Sequence, residues 1–482
     1  TEIKLPQPLG KRVGDKLPLD LTLYFNPDFT RLAGSIGSKL VTDLRFSELT
    51  VTHGLVSYDR SISMPAKGKL LVASFLPTTD LNLWRPVSAL FTNKFSGNNK
   101  SLRSVFDLEF ERLEVSPLTL HDIAAQVRLS DEMIDIGFRS DLADGRLLLP
   151  FNDKSVPDLS LTRLSLPKAF LEEKMGGEPL DPRKFLAADI AVDQLRLGGK
   201  DWGSVSFQLR PEISGAAFNS IKGNLVGLSP GLLDQDPATE FFWRFDGESY
   251  SSRLVGPVSV DNIGLLLNSF DIPAIVDSQS GKFVFDLAWP DQPWNIRREN
   301  INGDFKVQLN EGSFYKSTGG AGAALKLVSL FNFANWLKRL QLDFSDVTNQ
   351  NLPYHRLDAE VRFEQGVASF RQPLQMKMPS GRMSMAGTFD LVNETVDGTL
   401  VATLPVATNL PWVVALLGGL PAAAGVYVTG KLVKKQVDRM SSISYNLSGP
   451  WADIEVTVDK IFAEELKSIE ANGSDAKGSG NE

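Results

Sequence analysis

The sequence predicts a mainly β protein built on a long antiparallel sheet with one apolar and one polar face. Three observations predict it. A glycine-led run of alternating apolar residues recurs along most of the chain, short turns separate those runs, and helical patterns are confined to the C-terminal third.

The repeated run appears as GKLLVASF at Gly68, GRLLLP at Gly145, GSVSFQL at Gly203 and GPVSV at Gly256. It returns as GKFVFDL at Gly281, GDFKVQL at Gly303, GRMSMAGTFDL at Gly381 and GTLVATL at Gly398. A period of two sends one set of side chains to one face of a strand and the intervening set to the other. In GKFVFDL the apolar set is Phe283, Phe285 and Leu287, and in GDFKVQL it is Phe305, Val307 and Leu309. The residues between them are often Lys, Asp, Gln or Ser, which belong in water. Gly at the head of each run suits a turn, a bulge or a close backbone approach. Alternation leaves three architectures open: a sandwich, a closed barrel, or a sheet whose apolar face lines a groove. The sandwich is the plainer of them.

Two segments break the pattern. GGAGAALKLVSLFNFANWLKRLQLDFSDV, from Gly319, spaces Lys326, Ser329, Asn332 and Asn335 three apart within an otherwise apolar run and ends on Lys338 and Arg339. That is an amphipathic helix with a wide apolar face. Residues 398–430 contain no charged side chain, in a chain that is 22% charged. A membrane-spanning helix needs roughly 20 apolar residues, but Pro405, Pro411, Pro421, Gly418, Gly419 and Gly425 interrupt this one. A short strand followed by a broken apolar helix fits better. Both segments combine an aromatic residue (Trp336, Trp412) with a basic margin, as interfacial membrane helices do. Helices that plug the end of the sheet would look the same.

Composition excludes several functions. The chain has 482 residues, longer than one ordinary domain, and a net charge of −8. Nucleic-acid binding requires clustered Lys and Arg, so no nucleic-acid partner is expected. Without cysteine there are no disulfides and no thiolate metal sites. The chain opens at Thr1 with neither an initiator Met nor a signal-like apolar stretch, so any N-terminal anchor is expected upstream. His53, His121 and His355 lie in separate regions, and no HExxH, CxxC, GxSxG or phosphate-binding glycine loop occurs. Asp343 and Asp346 in DFSDV read as a cap and turn. The expectation is therefore a non-enzyme with no catalytic residue, no metal and no cofactor.

The C-terminal part resembles the YhdP branch of the AsmA-like proteins of Gram-negative bacteria. The resemblance is carried by GDFKVQLNEGSFYKSTGGAGAALKLVSLFNFANWLKRLQLDFSDV and FRQPLQMKMPSGRMSMAGTFDLVNETVDGTLVATLPV, and by LPWVVALLGGLPAAAGVYVTGKLVKKQVDRMSSISYNLSGPW. Upstream, SDLADGRLLLPFNDKSVPDLSLTRLSLP and LAADIAVDQLRLGGKDWGSVSFQL are similar to that branch's earlier repeats. The match covers about residues 100–460 well and the first hundred more loosely. One departure is Ile454 in GPWADIEV, where the family has Pro.

The resemblance implies a long, twisted antiparallel sheet curved into an open hydrophobic groove. Residues 1–318 would be groove repeats, 319–342 an amphipathic helix, 343–460 terminal strands with an inserted apolar helix at about 410–440, and 461–482 a flexible tail. It further implies phospholipid transport across the periplasm in outer-membrane biogenesis. An inner-membrane anchor would lie outside this chain, and the C-terminal end would face the inner leaflet of the outer membrane. Other envelope proteins are further expected partners, and an assembly role that templates nascent strands is the competing function. The implied groove is lined by Val205, Phe207, Leu209, Phe283, Phe285, Leu287, Phe305, Val307, Leu309, Val361, Phe363, Met376, Met378, Met383 and Met385. The implied membrane contact comprises Leu330, Phe331, Phe333, Trp336, Leu337, Trp412, Leu416, Leu417, Lys431, Lys434 and Lys435.

Overall fold

The computed structural model describes residues 16–47, 50–80, 103–115, 118–130, 132–152, 154–168, 180–231, 237–269, 276–315, 352–379, 381–404, 441–451 and 454–461, with Gly10, Gly14, Leu83 and Ala274. The described residues are mainly β and form 24 strands. They divide into two compact units, residues 1–219 and 220–482.

The first unit begins with β1 (Leu19–Phe25), β2 (Thr30–Ile36), β3 (Leu40–Ser47) and β4 (Thr50–Tyr58). It continues with β5 (Lys69–Asp80), β6 (Arg103–Val115), β7 (Leu118–Leu129) and β8 (Met133–Arg139). β9 (Ala143–Pro150), β10 (Asp158–Leu166), β11 (Ala188–Leu197) and β12 (Lys200–Glu212) follow, and β13 (Gly215–Leu225) crosses the boundary. The sheet here is mixed, which corrects the expected all-antiparallel arrangement. β4 with β5, β5 with β6, and β10 with β11 run parallel. Each of these pairs is joined by a connection longer than a hairpin loop: residues 59–68, 81–102 and 167–187. A parallel partner needs such a length, because the chain must return to the end where the previous strand began. Alternation reports only which face a side chain takes, and it is the same for either strand direction.

The second unit contains β14 (Leu228–Pro230), β15 (Thr239–Phe245), β16 (Tyr250–Val260), the helix α1 (Ile263–Ser269) and β17 (Ser280–Trp289). After these come β18 (Asn302–Phe314), β19 (Leu352–Glu364), β20 (Val367–Met378) and β21 (Gly381–Asp390). β22 (Thr395–Leu404), β23 (Ser441–Pro450) and β24 (Glu455–Ile461) complete it. From β16 to β24 each strand pairs antiparallel with the next.

Local chemistry explains the hairpins. β19 and β20 meet through Gln365 and Gly366, with φ of 49° and 79°. Positive φ at both central residues gives the turn whose twist matches that of the flanking strands. Within β18, Gly303 has φ of 124°, and a Cβ there would collide with the Asp286 carbonyl of β17. The glycine-led motif thus marks close strand approach here rather than a turn. The helix α1 starts at Asn262, whose Oδ1 accepts from Leu265 N at 3.0 Å. Leu266 is buried, and Ile263 and Leu267 pack on the core of the unit.

The amphipathic helix at 319–342 and the apolar helix at about 410–440 lie outside the described residues, as do all eleven expected membrane-contact side chains. The tail at 461–482 lies outside them too, apart from Ile461 at the end of β24.

Candidate functional site

Strand register assembles the alternating apolar residues into continuous rows across neighbouring strands. In the first unit one row runs Phe106, Val127, Ile136, Leu147, Leu159, Ile190 and Phe207, each opposite the next. A second runs Leu108, Ala125, Phe138, Gly145, Leu161, Val192 and Val205. Leu209 stands opposite Ala188 on the same face. The three residues expected from the sequence in this unit therefore share one surface, and all three are half-buried.

The second unit repeats the arrangement. Phe283 faces Val307, Phe285 faces Phe305, and Phe305 faces Val361. Leu309 is opposite Leu357, Leu357 opposite Met376, Met376 opposite Met383, and Met383 opposite Ala402. Leu374, Met385, Leu400 and Tyr445 form a further row. Leu287 and Phe363 flank Gly303 from either side, and Met378 faces Gly381. Phe285 and Phe305 stack with centroids 5.0 Å apart, while Phe283 meets Phe305 edge-on at 5.3 Å. No charged residue interrupts these rows.

Burial is uneven along the expected set. Phe285, Phe305, Val307, Val361 and Phe363 are half-buried; Phe283, Leu287, Leu309 and Met378 are buried. Met376, Met383 and Met385 are at most 1% exposed. Three methionines therefore sit at the most enclosed part of the face, where unbranched thioether side chains fill irregular space.

The opposite face is polar and ion-paired. Arg253 holds Asp286 through two hydrogen bonds of 2.9 and 3.1 Å. Arg362 holds Asp304 at 3.0 and 2.7 Å, Arg371 reaches the same carboxylate at 3.3 Å, and Lys306 pairs with Glu360 at 3.3 Å. The Arg362 guanidinium keeps the Asp304 carboxyl below the usual carboxylate range. In the first unit, Arg31 grips Asp43 at 2.9 and 2.6 Å and Arg146 grips Asp135 at 2.7 and 3.0 Å. The Arg163 guanidinium spans Asp144 and the carbonyls of Ser140 and Asp141, and hydrogen bonding from Arg163 depresses the Asp144 pKa.

Sequence reading missed much of the first unit's face: Phe106, Leu108, Val127, Ile136, Phe138 and Leu159. The signal was present as period-two runs in SVFDLEF and MIDIGF, which lack a leading glycine. Tyr445 in SISYNL was missed for the same reason. The histidines stay apart from one another: His121 Nδ1 lies 3.5 Å from Asp141, and His355 Nδ1 lies 3.1 Å from Glu311. Among the described residues no group of three or more His, Asp or Glu side chains is placed to hold a metal ion. Chemically, the face offers apolar surface, arranged in rows across many strands.

No curated protein and no solved structure matches this chain. A family model described as YhdP protein matches residues 1–456, nearly the whole sequence, and on that match the chain belongs to the YhdP family.

Proposed function

We propose that the apolar face carries phospholipid acyl chains and that the chain works as part of a lipid path between the inner and outer membranes. The observation that carries this reading is the division of the sheet: uninterrupted apolar rows on one face, paired charges on the other. Family membership supports it as well. Each buried CH₂ of an acyl chain is worth roughly 0.8 kcal/mol, so a continuous apolar surface keeps both chains out of water while the headgroup remains solvated. Movement from row to row needs no reactive group, only similar affinity at successive positions, so the protein is read as a non-enzyme.

The proposed setting is the periplasm, with an inner-membrane anchor elsewhere in the protein and the C-terminal end at the outer membrane. Strand register in the second unit relates the two apolar segments to each other. Phe314 faces Leu352 and Leu404 faces Ser441, with Met378 and Gly381 between them on the same sheet end. The two apolar segments of the sequence therefore depart from one end of the sheet. Among the described residues no helix is long and apolar enough to cross a membrane. We assign the two apolar segments an interfacial role on their sequence: Pro405, Pro411 and Pro421 interrupt one of them, and Trp336 and Trp412 each precede a basic margin.

Site-specific photo-crosslinking tests the proposal. Probes at Phe207 and Phe285 are expected to capture phospholipid, and probes at Ser206 and Val284, on the opposite face, are not. Equal capture from both faces would overturn the one-sided path.

A further inference from the structure

Tyr445, on β23, is 1% exposed and lies on the apolar face of the second unit. Leu400 stands opposite it, Met385 opposite Leu400, and Leu374 opposite Met385. Its hydroxyl makes no hydrogen bond. Trp294 Nε1 shares that lack, while three other buried donors of this unit are matched. The Tyr354 hydroxyl donates to the Asp277 carbonyl at 2.5 Å, and Trp289 Nε1 to the Gln292 carbonyl at 2.9 Å. Trp451 Nε1 donates to the Thr395 carbonyl at 2.9 Å. A buried donor left without an acceptor is costly, and phenylalanine would fill the same space without that cost.

The missing acceptor has a definable chemistry. Water needs two to four polar partners to settle in a buried site, and the neighbouring rows supply Leu374, Met376, Met383, Met385 and Leu400. A phosphate would bring charge into the same apolar surroundings at high cost. A neutral oxygen attached to a long apolar chain satisfies both the hydroxyl and its surroundings. Burial alone pushes the phenol up to about 12, so it remains a donor at physiological pH.

We propose that the Tyr445 hydroxyl donates a hydrogen bond to the ester carbonyl of an acyl chain lodged on this face. The inference rests on the reading of the face as lipid-binding and gives that face a point of chemical discrimination. Met376, Met383 and Met385 supply the adaptability for entry, because thioether side chains repack at little cost. The hydroxyl would then hold a glycerolipid at its ester region, leaving the hydrocarbon tails to the apolar rows.

The test compares the full chain with Tyr445→Phe. Diacyl phosphatidylglycerol and its dialkyl ether analogue, of equal chain length, compete for binding against a fluorescent acyl probe. The ether lacks the carbonyl. Wild type is expected to favour the ester by about three- to tenfold, as one hydrogen bond warrants, and Tyr445→Phe to erase the preference. The lipid-free variant is expected to melt at the same temperature as wild type or higher. Equal binding of ester and ether by wild type overturns the inference and leaves the lipid-binding reading intact. A lower melting temperature for the lipid-free variant also overturns it, since the hydroxyl must then have a partner within the protein. If neither lipid binds wild type, the reading of the face as lipid-binding fails and the inference fails with it.

Discussion

In the first unit Ala143, Leu161 and Val192 make a small buried cluster, with Phe138, Leu159, Leu164, Ile190, Leu195 and Val205 half-buried around it. In the second, a buried cluster extends from Val260 to Ile454 and takes in α1 and residues of β16 to β23. Both units show the same alternation and the same cross-strand rows, yet one keeps most of its apolar surface accessible and the other packs much of it into a core. A one-sided sheet can thus serve two ends. Where the rows are half-buried they offer room to a ligand; where they are enclosed they hold the unit together and admit a ligand only as the methionines repack.

The comparison is broken most directly by truncating one row in each unit. Leu400→Ala, at a fully buried position, is expected to cost about 2–5 kcal/mol in denaturant unfolding of the second unit. Leu147→Ala, half-buried in the first unit, is expected to cost about 1 kcal/mol. Similar losses at both sites would mean that the two faces are packed alike.

A second pair of variants sharpens the contrast in polar burial within the second unit. Tyr354→Phe removes the partner of a buried carbonyl and should destabilise by about 1–2 kcal/mol. Tyr445→Phe removes a hydroxyl without a partner and should destabilise by nothing measurable. Thermal melts of the two proteins, lipid-free, decide it.

The accessible face invites a functional break. Asp substituted at both Ile190 and Phe207, which stand opposite one another, should abolish lipid capture at neighbouring Leu159 and Leu147. Because these positions are half-buried, water can solvate the carboxylates and the protein should still accumulate. Undiminished crosslinking in the double variant would show that lipid does not use this surface.

The smallest effect expected to be measurable concerns acid. Asp144 has a folded pKa below the unfolded value because Arg163 hydrogen-bonds its carboxylate. Its contribution is fully present above the unfolded aspartate range, near pH 4, and is lost as pH falls through the depressed folded value. Asp144→Asn should therefore cost roughly 1 kcal/mol at pH 7 and converge on wild type in strong acid. A gap that persists at low pH would assign the loss to packing.

Much of the face could be read from residues alone. GKFVFDL and GDFKVQL put Phe283, Phe285, Phe305 and Val307 on one surface, and the register pairs them there. The direction of β5 and β11 could not be read, because alternation is blind to whether a neighbour runs parallel. Depth of burial was equally hidden: Phe207 and Met385 have the same local pattern, yet one is half-buried and the other fully buried. The helix α1 escaped notice because seven residues of IGLLLNS are too short to display a helical period. Tyr445 looked like any other apolar position, since a side chain's lack of a partner depends on what every other strand contributes.

The paired charges on the polar face bear on how the protein meets changing salt. Arg253 with Asp286, Arg362 and Arg371 with Asp304, and Lys306 with Glu360 all lie within 3.3 Å of their counter-charges. The screening length at physiological ionic strength is about 8 Å. Contacts this short stay inside it, so changes in external salt would weaken this lattice little while muting the long-range repulsion of a chain with net charge −8. The polar face is in that sense buffered against its medium, and the opposite face, which carries no charge in its rows, has nothing for salt to screen.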